Sequence, residues 1–141
     1  MFRTRITDLF GIKYPIICGG MYWIGRAELI AAMANAGGLG FLTAATFETL
    51  DDLRAEIRKA RDLTDGPIGL NINLFPALRP QPIEAWVEVA CEEKIPVVET
   101  SGRSPSRPGW RSPARRRYQW SRPPVAAQRR SSRRYTPTAS R

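Results

Sequence analysis

The chain changes character after Pro105, and that break limits what it can fold into. All 13 acidic residues lie before it, together with 11 of the 22 Lys and Arg residues. Residues 1–105 therefore carry a net charge of −2, and residues 106–141 carry +11 with no acid. The overall +9 describes neither part. The tail holds no Lys, Leu, Ile, Phe or Met, and Val125 is its one branched aliphatic residue. Such a segment cannot bury enough apolar surface to offset the entropy of ordering, so disorder is expected for 106–141 and a folded core only for 1–105.

Within 1–105, four short apolar runs alternate with amphipathic stretches. The runs are Tyr14–Cys18, Leu39–Thr43, Ile68–Leu74 and Pro96–Thr100, each bounded by Gly, Pro or Ser. Their length and Ile/Val/Leu content suit strands buried on both faces. Between them, Arg26–Ala36 places Leu29, Ile30, Met33 and Ala36 at helical spacing, with Gly37 as its stop. Leu50–Leu63 follows Thr49, a good N-cap, and has Asp51 and Asp52 in its first turn and an apolar stripe of Leu50, Leu53, Ile57 and Ala60. Pro82–Glu93 opens on a proline and turns Ile83, Trp86, Val87 and Ala90 inward. This βαβαβαβ pattern predicts parallel strands with helical crossovers, in either a doubly wound sheet or a barrel. Four strands make half of a barrel, which needs eight.

Both architectures bind ligands at the carboxyl ends of the strands. Those ends are Gly19-Gly20-Met21-Tyr22, Ala44-Ala45-Thr46, Asn71 to Pro76, and Glu99-Thr100-Ser101-Gly102. Asn71 and Asn73 share a face of one strand, where each amide needs a partner from neighbouring backbone or from a ligand. Glu99 is either a catalytic carboxylate or a partner for Arg103. No GxGxxG follows the first strand and no GxxxxGK[ST] occurs, which disfavours a dinucleotide-binding Rossmann domain and excludes a P-loop. The absence of His removes imidazole acid/base catalysis, His-ligated metal sites and Ser-His triads. Cys18 and Cys91, in core-like positions, read as reduced thiols of a cytoplasmic protein. No apolar run is long enough to span a bilayer, so no membrane association is expected.

The stretches FRTRITDLFGIKYPIICGGM, WIGRAELIAAMANAGGLGFL, DLTDGPIGLNINLFP and VVETSGR, in this order between Phe2 and Gly102, resemble the bacterial FMN-dependent nitronate monooxygenases. The resemblance implies the N-terminal half of a TIM-like (βα)8 barrel with FMN at its carboxyl-end face. It implies oxidation of small alkyl nitronates by molecular oxygen. An FMN-dependent NADH:quinone reductase of the same barrel is the alternative, and a flavin-dependent enoyl-ACP reductase is more distant. By resemblance, Gly20, Met21 and Tyr22 form the flavin contact after the first strand. Asn71 matches the family's asparagine on the third strand, and Asn73 lies at the next inward position. Leu74–Pro82 borders the substrate entrance, and Thr100, Ser101 and Gly102 form the strand-four end facing the active site. The family's phosphate-binding loops and catalytic histidine belong to later strands, so no catalytic residue is assigned here. A half-barrel without them is expected to be inactive and poorly folded alone, with open sheet edges.

The tail interleaves Arg115-Arg116-Arg117, Arg129-Arg130 and Arg133-Arg134 with Trp110, Tyr118, Trp120 and Tyr135, a composition that would suit nucleic-acid binding. The abrupt switch inside a strand-end loop favours instead the product of a shifted reading frame. Translation of the coding sequence in the other two frames after codon 105 is expected to resume barrel-like strands and helices. Neither frame doing so would defeat the shifted-frame reading.

Overall fold

The computed structural model describes residues 3–74 and 81–102. The tail, the interior of the Leu74–Pro82 loop and any Glu99–Arg103 pair lie outside the described residues. The elements are α1 (Arg5–Phe10), β1 (Ile17–Cys18), α2 (Ala27–Asn35), β2 (Leu39–Thr43), a 3-10 turn (Ala44–Thr46), α3 (Leu50–Leu63), β3 (Ile68–Asn73), α4 (Ile83–Glu92) and β4 (Val97–Ser101). All neighbouring strands are parallel and the order is β1-β2-β3-β4. A doubly wound sheet would reverse its strand order at a switch point. Here each strand adds beside its predecessor, and α2, α3 and α4 pack on one face. This is an α/β half-barrel.

Two apolar clusters mark the two faces. Leu42, Ile68, Leu70 and Ile72 point outward and pack with Ile30, Leu53, Ile57, Trp86 and Val89 of the helices. Leu39 and Phe41 point inward and meet Ile12, with Phe10 and Val97 beside them. Strand alternation sorts the two sets. α1 was not foreseen from the sequence. It is short, and it is held by a capping box in which Thr4 and Thr7 exchange side-chain-to-backbone hydrogen bonds, with Thr7 where Glu or Gln is usual. The turn after it delivers Ile12 to the inner face, closing the half-barrel at the amino ends of its strands.

The α2 face differs from the expected stripe. Ala27, Ile30, Ala31 and Ala34 are buried, whereas Leu29 and Met33 are half-buried and Ala36 is exposed. The reason is close approach: a Cβ on Gly40 of β2 would lie 2.8 Å from Ile30 Cα, so the helix backbone rests on the strand and small residues must face it. β1 is also shorter than the apolar run Tyr14–Cys18. Tyr14, Ile16 and Ile17 are exposed because β1 is an edge strand with no neighbour beyond it among the described residues. Likewise, β4 alternates between half-buried and exposed residues at the other edge. Cys18 and Cys91 are free thiols, as expected, but half-buried instead of core residues. Cys18 ends the edge strand, and Cys91 lies in the last turn of α4.

Four carboxylates join the helices, among them Glu28, which pairs with Lys59 at 2.6 Å and ties α2 to α3. Glu92 accepts from Arg54 at 2.6 Å, and Glu93 accepts from Arg58 and Arg61 at 2.8 and 3.2 Å, linking α3 to α4. Glu56, only 6% exposed, does more. Its Oε1 accepts from Arg26 Nε at 2.8 Å and from the Ala27 backbone N–H at 2.8 Å, and its Oε2 accepts from Arg26 Nη2 at 3.0 Å. Arg26 is the N-cap residue of α2 and has no side-chain cap of its own. Glu56 therefore supplies the cap from a neighbouring helix and places negative charge at the α2 N-terminus. The guanidinium of Arg26 also lies over the Phe47 ring, 5.1 Å from its centre.

The bond to Arg26, offset in part by burial and aided by the Ala27 N–H, holds the Glu56 carboxyl below its ordinary value of 4.5. A depressed folded-state value means the stabilisation is fully present above pH 4.5 and is lost as pH falls through the lower folded value. Glu56→Ala is expected to cost about 2 kcal/mol in urea unfolding near neutral pH, because it strands a partly buried guanidinium and an uncapped N–H. The gap between variant and wild type should narrow as pH drops below 4.5. A gap that stays constant across that range would refute this assignment.

Candidate functional site

The parallel register brings the site together. Thr43 pairs with Asn71, Asn71 with Glu99, and Asn73 with Ser101. Paired residues in adjacent parallel strands share a face, so Thr43, Asn71 and Glu99 form one inward row near the carboxyl ends, and Asn73 and Ser101 form the next row out. Asn71 is 3% exposed. Above it passes the loop leaving β1. A Cβ on Gly20 would lie 2.3 Å from Asn71 Cβ, so the loop backbone sits against the asparagine with no room for a side chain. The Gly20 N–H donates to Glu99 Oε2 at 3.2 Å, tying the end of β1 to β4 across the inner face. The Ser101 hydroxyl lies 3.5 Å from Asn71 Oδ1, a long hydrogen bond.

The same loop then turns sharply. Met21 O accepts from Ile24 N at 3.2 Å and Gly25 N at 2.8 Å. Trp23 adopts a left-handed conformation, φ 64°, and its N–H donates to the buried Thr46 hydroxyl at 3.1 Å. A bulky residue with positive φ needs such anchoring. The turn projects Tyr22 over the inner face, with Trp23 edge-on to it at 5.7 Å between ring centres.

Above these rows lies a cavity of about 430 Å³, within the size range of small-molecule sites. Gly20, Tyr22, Thr43, Ala45, Asn71, Asn73, Gln81 and Ser101 line it. The structure thus gathers five of the eight sequence-assigned residues: Gly20, Tyr22, Asn71, Asn73 and Ser101. Met21 contributes its carbonyl to the turn, and its side chain does not line the cavity. Thr100 pairs with Ile72, whose side chain faces the helices, so pleat alternation turns Thr100 away from the inner face, and Gly102 lies beyond the end of β4. Glu99 shares the row of Thr43 and Asn71 but does not line the cavity; its carboxylate is engaged with the Gly20 amide.

Sequence reasoning missed Thr43, and it placed Gln81 only within the Leu74–Pro82 entrance segment without singling it out. Thr43 sits in a run that reads as uniformly buried, and only its register with Asn71 marks it. Both carry a buried side-chain oxygen with no hydrogen-bond partner, Thr43 Oγ1 and Gln81 Oε1, unusual for buried polar atoms. Among the described residues, the lining contains no charged side chain. No cluster of metal-ligating residues occurs among the described residues. Its amides, hydroxyls and backbone can bind and orient a flat polar molecule, but they supply no nucleophile and no strong base.

Comparison with known proteins adds an identity to this geometry. The family model described as nitronate monooxygenase matches residues 3–104. The (3aS,4S,5R,7aS)-5-hydroxy-7a-methyl-1-oxo-octahydro-1H-indene-4-carboxyl-CoA dehydrogenase of Mycobacterium tuberculosis is 51% identical over 70 residues, 50% of this chain and 19% of that protein. A Staphylococcus saprophyticus protein described as "Probable nitronate monooxygenase" is 38% identical over 90 residues, covering 60% of this chain and 25% of that one. The solved structure of FabK from Thermotoga maritima superposes with a TM-score of 0.67 at 43% identity, covering 74% of this chain and 32% of FabK. The chain thus spans between a fifth and a third of the length of these relatives.

Gly20→Ala tests how closely the loop packs. Its methyl would overlap Asn71, and a loss of about 2 kcal/mol in thermal or urea unfolding is expected. A fully wild-type melting curve would show that the loop does not rest on Asn71.

Proposed function

This chain belongs to the nitronate monooxygenase family, and we propose from that premise that its strand ends form the first half of a flavin site in an oxidoreductase. The observation that carries the reading is the close stacking of the Gly20 backbone on buried Asn71 beside a cavity lined by uncharged hydrogen-bonding groups. A flat ring needs such a bare backbone wall, and its heteroatoms need amide and hydroxyl partners. The residues present therefore fit a flavin. FMN is the form that the family resemblance implies. When bound, a flavin supplies an acceptor for two electrons. The chain's own residues would hold the ring: Gly20 as the wall, Asn71 and Asn73 as amide partners, Ser101 as a hydroxyl partner and Tyr22 at the rim.

Two substrate readings follow. The first is an alkyl nitronate, in keeping with the family model and the Staphylococcus relative. The second is a hydroxylated carboxyl-CoA thioester that gives up two hydrogens. It is favoured by the 51% identity with the mycobacterial dehydrogenase, against 38% for the Staphylococcus protein, although the former match covers a shorter stretch.

Titration of the purified chain with FMN, followed by flavin fluorescence, tests the site. Quenching in wild type and about tenfold weaker binding in Asn71→Ala are expected, since a buried hydrogen-bonding partner of a ligand is worth about 1.4 kcal/mol. No quenching in wild type would overturn the reading. Adding an alkyl nitronate or a hydroxylated acyl-CoA to the FMN-loaded chain separates the substrates by binding alone, because only the molecule that the site accepts shifts the absorbance band of the bound flavin.

A further inference from the structure

Thr43 is 4% exposed, its Oγ1 has no hydrogen-bond partner, and it lines the cavity. Gln81, which lines the same cavity just before α4, has a buried Oε1 that is also unpartnered. Neither group is needed by the fold. Thr43 Oγ1 bonds no backbone atom of its strand, and valine would fill its place on β2 with the same shape and a higher strand preference. A buried polar atom left unpaired costs stability. Two of them facing one cavity point outward from the protein's own needs, toward a ligand.

Their chemistry is complementary. A threonine hydroxyl can donate a hydrogen bond, and an amide oxygen can only accept. Together they match a ring edge that carries a carbonyl oxygen and a neighbouring N–H, and the pyrimidine edge of a flavin has both. We propose that Thr43 and Gln81 are ligand-recognition residues: Thr43 Oγ1 donates to a ring carbonyl and Gln81 Oε1 accepts from a ring N–H. This inference rests on the flavin reading above and deepens it, since it assigns an orientation. The polar edge of the ring faces the β2 side of the cavity and the start of α4, and the remainder extends over Gly20 and Asn73.

Stability and binding should respond with opposite signs. Thr43→Val removes an unsatisfied hydroxyl without changing volume. Its melting temperature without ligand should equal or exceed that of wild type, while FMN binding weakens about tenfold. Gln81→Leu should behave in the same way. FMN methylated at ring N3, which has lost the N–H, should bind wild type about tenfold more weakly than FMN, and should bind Gln81→Leu no worse than FMN does. Either of two results overturns the proposal: Thr43→Val melting well below wild type without ligand, which would make the hydroxyl structural, or both variants binding FMN as wild type does. If wild type itself fails to quench FMN, the flavin reading falls and takes this assignment with it. If wild type binds and the variants are unaffected, only this assignment falls.

Discussion

Parallel pairing places Thr43, Asn71 and Glu99 side by side across three strands, and nearly everything else in the molecule follows from that row. The same register that turns these three inward turns Leu42 and Leu70 outward, into the helices. A slip of one residue in β3 would bury neither set correctly: Asn71 would face Leu53 and Ile57, and Leu70 would face the cavity. The apolar packing of α2, α3 and α4 thus specifies the polar site, although no helix contributes to the row. Helix packing fixes the strands, and the strands fix the asparagines.

The loops finish what the row begins. Glu99 holds the Gly20 amide, and Thr46 holds the Trp23 amide in its left-handed turn. Between these two anchors the β1 loop has little freedom, so Tyr22 is set over the cavity by backbone geometry and not by its own packing. On the far side, Glu56 caps α2 immediately after this loop. The helix that begins where the site loop ends is therefore tied to α3, and the loop is fixed at both ends by carboxylates drawn from other elements.

Much of this was legible in the sequence. A strand within each of the four apolar runs, the Thr49 cap of α3 and the shared face of Asn71 and Asn73 emerge, because period and capping are local signals, but only the two middle strands are buried on both faces as read. What was not legible depends on neighbours. Tyr14 and Ile16 look like strand core, yet they sit on an edge, and edge position is not encoded in five residues. Leu29 looks better buried than Ala31, but the bare backbone at Gly40 reverses that order. Thr100 lies within the strand end named by family resemblance, and only the pleat separates it from Ser101. α1 escaped notice because Thr7 stands in for the Glu or Gln that usually completes the capping box.

The bond between Gly20 and Glu99 spans 79 residues, whereas each strand otherwise pairs with the next one in the chain. Contacts between consecutive strands close short loops and can form one after another as the polypeptide leaves the ribosome. The carboxylate that fixes the first loop arrives only with the fourth strand. Assembly therefore runs in two tempos: a sheet that grows stepwise from its N-terminal end, and a cavity-facing loop that stays unlatched until the fourth strand is synthesised.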